Sequence, residues 1–172
     1  MSRSIVFSAV IFLSSLFSAR AVFAETEASA PVSAQEQAAS PAPAEASLYE
    51  RLGGEQAIAS VVEVFTAKAA SDPKVNFTRQ GTPKPWNATP EKVEVFKKHM
   101  TQFIAGVTGG PQVYEGKDMV TAHAGMKITH AEFDALAADL KAALQEFNVP
   151  QKEQDELLAL VETTRGAIVE EA

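Results

Sequence analysis

The sequence contains no cysteine. This absence excludes disulfide bonds, thiolate metal sites, iron–sulfur clusters, thiol nucleophiles and cofactors attached through thioether links. Histidine is also scarce, with only His99, His123 and His130 in the whole chain. Any metal chemistry in this protein therefore depends on very few side chains.

Basic residues are too few to balance the acidic ones. Lysine and arginine number 15 against 22 aspartates and glutamates, which gives a formal net charge of −7. Because binding to phosphate backbones requires clustered cations, this balance argues against nucleic acid as a partner. Hydrophobic residues make up 46% of the 172-residue chain, which is enough for one packed core.

Residues 1–24 have the pattern of a secretory signal peptide. Arg3 precedes an apolar run from Ile5 to Phe17, and Val22-Phe23-Ala24 places small or moderate residues before Glu25. The alternative is an uncleaved membrane anchor, but the apolar run is shorter than the about 20 residues that a spanning helix needs. We therefore expect export to the periplasm, cleavage, and no stable membrane insertion of the mature chain.

Residues 25–46 consist almost entirely of alanine, proline, serine, threonine, glutamate and glutamine. Such a stretch cannot bury enough apolar surface to offset its ordering entropy, so it is expected to be a disordered linker. The folded domain then spans residues 47–172.

Every periodic segment within residues 47–172 has helical spacing, and no alternating strand pattern occurs. Thr89-Pro90 is a start signal for one helix, which Gly109-Gly110-Pro111 ends. Thr129 and Glu132 have the spacing of a capping box, and Asn148-Val149-Pro150 separates the helix that follows from the last one. The sequence predicts an all-α domain with four substantial helices and a short one near residues 117–126.

His123 is the strongest candidate for a ligand. It shares a helical face with Met119 and Met126, and an imidazole between two thioether side chains needs partners for its nitrogens. The alternative is a core histidine bonded to a backbone carbonyl, and spacing alone favours that alternative.

The other two histidines give weaker signals. His99 lies at the border between an apolar helix stripe and solvent, so it is either a cavity residue or a surface histidine. His130 lies in the first turn of a capped helix, where a solvated position is expected. Zinc is disfavoured because no two histidines are spaced as HxxxH, and only Asp134 lies at a ligand-like offset from His130.

The order of several short motifs resembles that of the group I truncated haemoglobins. The domain opens with the run Leu48-Tyr49-Glu50-Arg51-Leu52-Gly53-Gly54. Further matches follow in the same order and at nearly the same spacing, namely Phe103, Gly109-Gly110-Pro111, Tyr114-Glu115-Gly116, Met119, Ala122-His123, Met126, Ile128-Thr129, Phe133-Asp134 and Val149-Pro150. The resemblance covers about residues 47–170, and the ordered string around His123 is highly specific.

This resemblance implies a two-over-two helical sandwich around a b-type haem. Helices 55–70 and 91–108 would pack over helices 130–147 and 151–169, and His123 matches the proximal iron ligand. The residues expected to contact the haem are Phe65, Thr66, Phe77, Phe96, Met100, Phe103, Met119, Met126, Ile128 and Phe133.

The departures from the family concern the distal side of the haem. Thr66 stands where the family usually has a tyrosine that donates to the bound gas, and Met100 stands where a glutamine is common. Phe96 occupies another position that is often polar, so the distal pocket is expected to be apolar. His99 aligns with a distal iron-binding histidine of some cyanobacterial members. The loop at 76–87 is longer than usual, and its Trp86 is expected to cap the pocket.

Two functions follow from the resemblance, and a third class lies outside it. The first is binding of oxygen, nitric oxide or carbon monoxide at a histidine-ligated iron, with nitric oxide dioxygenation as an extension that requires a separate reductase. The second is a bis-histidine haem, held by His99 and His123, for electron transfer or redox sensing in the periplasm. The third is a helical interaction module without a cofactor, in which His123 is merely buried.

Overall fold

The computed structural model describes residues 45–170. The predicted signal peptide and almost all of the predicted linker lie outside the described residues. Within them, the chain forms seven helices and no strand, with a single isolated parallel bridge between Ile128 and Val169. The prediction of an all-α domain is confirmed. None of the helices within 45–170 is both long and apolar enough to cross a membrane.

The helices are α1 (Leu48–Arg51), α2 (Gly54–Ser71), α3 (Pro90–Val107), α4 (Met119–His123), α5 (His130–Glu146), α6 (Gln151–Glu162) and α7 (Arg165–Ile168). Local capping explains where the longer ones begin. The Thr89 hydroxyl accepts a hydrogen bond from the Lys92 N–H ahead of α3, and Pro90 occupies the first helical position. Thr129 and Glu132 form the predicted capping box of α5.

Helix α2 lies at the centre of the fold and packs against both α3 and α5. Helix α5 also contacts α6, α1 contacts α2 and α6, and α4 contacts α7. The largest fully buried side chains of this core come from four different helices, namely Phe65, Ile104, Leu144, Leu157 and Val62. Helix α4 has no buried residue, whereas the loop 72–89 contributes Val75 to this core.

The last predicted helix is not continuous. The chain breaks at Thr163 and Thr164, whose hydroxyls donate to the carbonyls of Leu160 and Val161 and so compete with the helical backbone pattern. The prediction of one helix over 151–169 is therefore wrong, and the C-terminal part is the separate short helix α7. The short helix α1 was not predicted, because a single turn carries no periodic signal.

Candidate functional site

A cavity of about 700 Å³ opens between α3, α4, α5 and the loop 72–89. Its lining is mostly apolar, and its size lies within the range of small-molecule and cofactor sites. The cavity brings together nearly all of the residues proposed from the sequence, which are Phe77, Phe96, His99, Met100, Phe103, Met119, His123, Met126, Ile128 and Phe133.

Phe65 and Thr66 lie elsewhere. Phe65 belongs to the central core and is only 1% exposed. The Thr66 hydroxyl donates to the Val62 carbonyl at 2.7 Å, and Thr66 lines a second cavity of about 300 Å³. Phe77 lines both cavities, whereas Thr66 lines only the smaller one. Neither residue lines the larger cavity, and the Thr66 hydroxyl hydrogen is already engaged.

His123 is the last residue of α4, whose start is fixed by Asp118 accepting the Thr121 N–H at 2.9 Å. The His123 Nδ1 lies 2.8 Å from the Met119 carbonyl oxygen. Because a carbonyl can only accept, Nδ1 carries the hydrogen and the neutral ring keeps its lone pair on Nε2. Burial lowers the pKa of His123, the Met119 bond opposes this, and the charge of Lys84 lowers it further. The neutral imidazole is therefore the favoured form.

His99 borders the same cavity from α3 and is half-buried. Its ring lies 5.9 Å from that of Tyr114 in an edge-on arrangement, and Tyr114 in turn contacts Phe103. His130 is exposed, lies close to Arg165 and does not line the cavity. The structure thus brings His99 and His123 to one cavity and leaves His130 outside it.

Three aromatic rings form a cluster on the side of the cavity near α3. Phe77 contacts Trp86 at 5.1 Å and Phe96 at 5.5 Å between ring centroids, and Trp86 lies 5.9 Å from Phe96. All three rings line the cavity, and Met100 is the next residue on the same face of α3 after Phe96. This wall carries no hydrogen-bond donor other than the Trp86 indole.

Arg79, which no sequence pattern indicates, is only 5% exposed and lines the cavity. Its guanidinium donates to the carbonyls of Met126 and Lys127 and forms an ion pair with Glu132 at 2.8 Å. An arginine in a loop with proline and glycine has no periodic signal, so only the folded structure reveals this role. Tyr114 and Ile168 also line the cavity, and they too were not among the proposed contacts.

Glu132 makes the stability of this region sensitive to acid. Burial on its own would raise the pKa of Glu132, but the hydrogen bonds from Arg79 and Thr129 outweigh it, so the pKa is lowered from 4.5. A carboxyl group whose pKa is lower in the folded than in the unfolded protein stabilises the fold at pH values above its unfolded-state pKa. This contribution is lost as the pH falls through its folded-state pKa. Between about pH 6 and about pH 3.5, we expect the parent Tm to fall more than that of Glu132→Gln. Parallel slopes in circular dichroism melts would contradict this expectation.

The described part of the chain has no conventional metal site. Within residues 45–170, no group of three or more histidine, cysteine, aspartate or glutamate side chains is placed to hold a metal ion. What the cavity offers is two imidazoles, those of His99 and His123, among mostly apolar lining residues. This arrangement suits a metal that arrives with most of its ligands already supplied by a cofactor.

Comparisons with known proteins agree with this geometry. The family model described as bacterial-like globin matches residues 47–170. A group 1 truncated hemoglobin from Tetrahymena pyriformis is 33% identical over 118 residues, covering 69% of this chain and 90% of the relative. The group 1 truncated hemoglobin GlbN from Synechocystis is 31% identical over 124 residues, covering 70% of this chain and 90% of the relative.

Solved structures give the same result. The Fe(III) form of the Tetrahymena pyriformis protein superposes with a TM-score of 0.63 at 31% identity, covering 73% of this chain and all of that one. The 2/2 hemoglobin of Synechococcus was solved in the cyanomet state with covalently attached heme. It has a TM-score of 0.62 at 33% identity, and the match covers 72% of this chain and 98% of that one. Haem b is the cofactor of these proteins. The chain therefore belongs to the bacterial-like, two-over-two globin family and is a homologue of the group 1 truncated hemoglobins.

Proposed function

We propose that this chain holds haem b in the larger cavity, with His123 as the proximal iron ligand, and binds a diatomic gas such as oxygen, nitric oxide or carbon monoxide. One observation carries the proposal. The Nδ1–H of His123 donates to the Met119 carbonyl at 2.8 Å, which leaves the Nε2 lone pair of a cavity-lining imidazole for iron. Metal-bound histidines are usually oriented by such a bond from the other ring nitrogen.

The cavity residues fit this cofactor. A flat, apolar macrocycle needs an apolar slot with one strong ligand, and the cavity supplies methionine and phenylalanine walls with His123 at one side. Lys92 and Lys117 also line the cavity and can neutralise the carboxylates that haem carries. The haem supplies the iron at which gases bind, and the protein's own residues hold the haem, exclude water and decide which groups approach the gas.

The distal residues favour gases that need little hydrogen bonding. Phe96, Met100 and Phe77 have no donor, and the Thr66 hydroxyl is engaged with Val62 outside the larger cavity. The ring donors beside them are those of Trp86 and His99, which also line the cavity. Oxygen retention depends on a donor because the bound gas becomes partly charged, and a hydrogen bond to a charged group is worth about 1.5–3 kcal/mol. The apolar wall therefore suits nitric oxide or carbon monoxide better than oxygen storage.

The direct test is an optical spectrum of the mature protein after reconstitution with hemin and gel filtration. Under the proposal, the protein retains haem stoichiometrically, and the dithionite-reduced form changes spectrum on adding carbon monoxide. A colourless protein after gel filtration would refute the proposal and leave a helical module of another purpose.

A bis-histidine haem for electron transfer or redox sensing is the second candidate, and the position of His99 favours it. His99 is half-buried and borders the same cavity as His123, so both imidazoles are available to one cofactor. In that case a periplasmic redox partner, rather than a gas, is the functional ligand. A gas-binding form that turned over nitric oxide would likewise require a separate electron donor.

His99→Ala separates the two candidates. If His99 ligates iron, we expect the sharp, split visible bands of a six-coordinate ferrous protein to become the broad band of a five-coordinate one. Carbon monoxide should then bind faster, because it no longer waits for His99 to leave. Stopped-flow mixing of the reduced proteins with carbon monoxide measures both effects. Identical spectra and rates in parent and variant would remove His99 from the iron.

We also propose that residues 1–24 direct export and that the gas-binding domain acts in the periplasm. The support is the charged start, the apolar run and the small or moderate residues at 22–24. Cell fractionation with amino-terminal sequencing tests this, and a cytoplasmic chain that retains Met1 would contradict it.

A further inference from the structure

The turn that follows His123, residues 124–128, is not a regular element. Gly125 and Lys127 have φ values of 78° and 54°, in the left-handed region that a lysine rarely adopts. A non-glycine residue persists there only when surrounding groups hold it. Because α4 is a single short helix that is not stable by itself, this turn is also the covalent support on the carboxyl side of His123.

Two cations from the loop 72–89 hold the carbonyls of this turn. Lys84 Nζ donates to the Ala124 carbonyl at 2.9 Å. Arg79 donates to the Met126 carbonyl through Nε at 3.0 Å and Nη2 at 2.7 Å, and to the Lys127 carbonyl at 2.9 Å. The Arg79 guanidinium is itself fixed by Glu132, whose carboxylate also accepts from Thr129 at the start of α5.

One anion from the C-terminal segment holds the N–H groups. The Glu170 carboxylate accepts hydrogen bonds from the backbone N–H of Gly125 and of Lys127, the latter at 3.1 Å. The Glu170 N–H donates to the Ile128 carbonyl at 2.9 Å, which joins the segment after α7 to the end of the turn. Positive groups thus hold the turn's carbonyls, and a negative group holds its N–H groups.

The loop that supplies these cations also contributes aromatic rings to the cavity lining. Phe77 and Trp86 lie in the same loop as Arg79 and Lys84, and both rings line the cavity. Arg79 has a φ of 55°, a left-handed conformation that directs one buried guanidinium to the turn and to Glu132 together. Arginine is rarely buried unless its charge is paired, and the partners of Arg79 are Glu132 and the carbonyls of the turn.

We infer that Arg79, Lys84 and Glu170 are positioning residues for His123, fixing the turn behind it so that the imidazole is presented to the iron in one orientation. The inference rests on the proposed function. The three side chains bond to the backbone of the turn and act on His123 through it. Loss of such outer-shell partners typically costs metal sites about 10- to 100-fold in affinity. Replacing Arg79 is expected to have the largest effect on haem retention, because Arg79 alone bonds to two carbonyls of the turn and is the most buried of the three residues.

The experiment compares Arg79→Met, Arg79→Lys and Glu170→Gln with the parent after reconstitution with hemin. The first measurement is the rate of ferric haem transfer to an apoglobin acceptor. We expect Arg79→Met to lose haem about 10- to 100-fold faster than the parent. Arg79→Lys should recover part of the difference, since lysine keeps the charge but cannot span both carbonyls. Glu170→Gln should show a smaller increase.

The second measurement is the iron–histidine stretching band of the reduced protein, recorded by resonance Raman spectroscopy in a His99→Ala background so that only His123 binds iron. Arg79→Met should shift or broaden this band. The matched control is Arg51→Met, which removes an ion pair of α1 with Glu153 and Glu156 on α6, away from the turn. Arg51→Met should lower Tm while leaving the band and the haem transfer rate unchanged.

The third measurement uses the apoprotein, so it does not depend on haem. Amide hydrogen exchange at Gly125 and Lys127 should accelerate in Glu170→Gln and in Arg79→Met, but not in Arg51→Met. The inference is overturned by one result. In it, Arg79→Met lowers Tm as Arg51→Met does, while the amide exchange rates, the iron–histidine band and the haem transfer rate remain those of the parent. A parent that binds no hemin refutes the proposed function instead, and hydrogen exchange then still decides whether these residues fix the turn.

Discussion

Replacing His123 with alanine is expected to abolish stoichiometric haem retention. The structure places this imidazole at the cavity, with Nδ1 bonded to Met119 and its pKa lowered by burial, so the ring is neutral and its second nitrogen is available. No other described side chain offers the same combination of lone pair, fixed tautomer and apolar surroundings. The loss should exceed the about 10- to 100-fold that removal of an outer-shell partner typically costs. Hemin titration followed by gel filtration measures it.

Two controls make this result specific. His130→Ala removes an exposed histidine that does not line the cavity, so its hemin binding should equal that of the parent. Free imidazole added to His123→Ala should restore part of the haem spectrum, because the truncated side chain leaves room for a ring. A His123→Ala protein that retains haem with an unchanged spectrum would show that iron is held by another residue.

The parts of the fold that could be predicted are those with local signals. Thr89-Pro90 and Thr129 through Glu132 satisfy backbone N–H groups with nearby side chains, and α3 and α5 begin where these caps predict. The last helix was predicted as continuous because Leu157, Val161 and Ile168 keep a helical spacing. The hydroxyls of Thr163 and Thr164 interrupt this helix by donating to backbone carbonyls of the preceding turn. The spacing of hydrophobic residues carries no information about such side-chain hydrogen bonds.

The sequence pointed to His123, which lines the cavity, but it did not indicate the contacts at which distant segments meet. His123 stands out through its methionine neighbours and through the motif string of the family. Arg79 lies 47 residues from Met126, whose carbonyl it bonds, and nothing near Arg79 in the sequence indicates that contact. Thr66 was expected to contact the haem because of the resemblance alone. Its hydroxyl donates to the Val62 carbonyl of its own helix, and Thr66 lines the smaller cavity instead of the larger one.

Met100→Gln is expected to slow oxygen dissociation from the reduced protein by about tenfold to more than a hundredfold, the equivalent of one hydrogen bond to a charged group. Met100 lines the cavity on α3 beside the aromatic cluster of Phe77, Trp86 and Phe96, where the wall is poor in donors. Glutamine has a similar length and adds an amide donor at that point. Laser photolysis or stopped-flow displacement of oxygen by carbon monoxide measures the rate.

The matched comparison for Met100→Gln is the same substitution at Met126, which lines the cavity from the turn after α4 and not from α3. Met126 also lines the cavity but lies in the turn that follows His123, so Met126→Gln adds an equal amide away from the gas and should not slow oxygen release. Thr66→Val should also leave the rate unchanged, because the hydroxyl that it removes already donates to Val62. If Met100→Gln and Met126→Gln slow oxygen release equally, a general change in cavity polarity is the cause. If Thr66→Val speeds release instead, the Thr66 hydroxyl turns from Val62 toward the gas when haem is bound, and the distal wall is less apolar than its packing indicates.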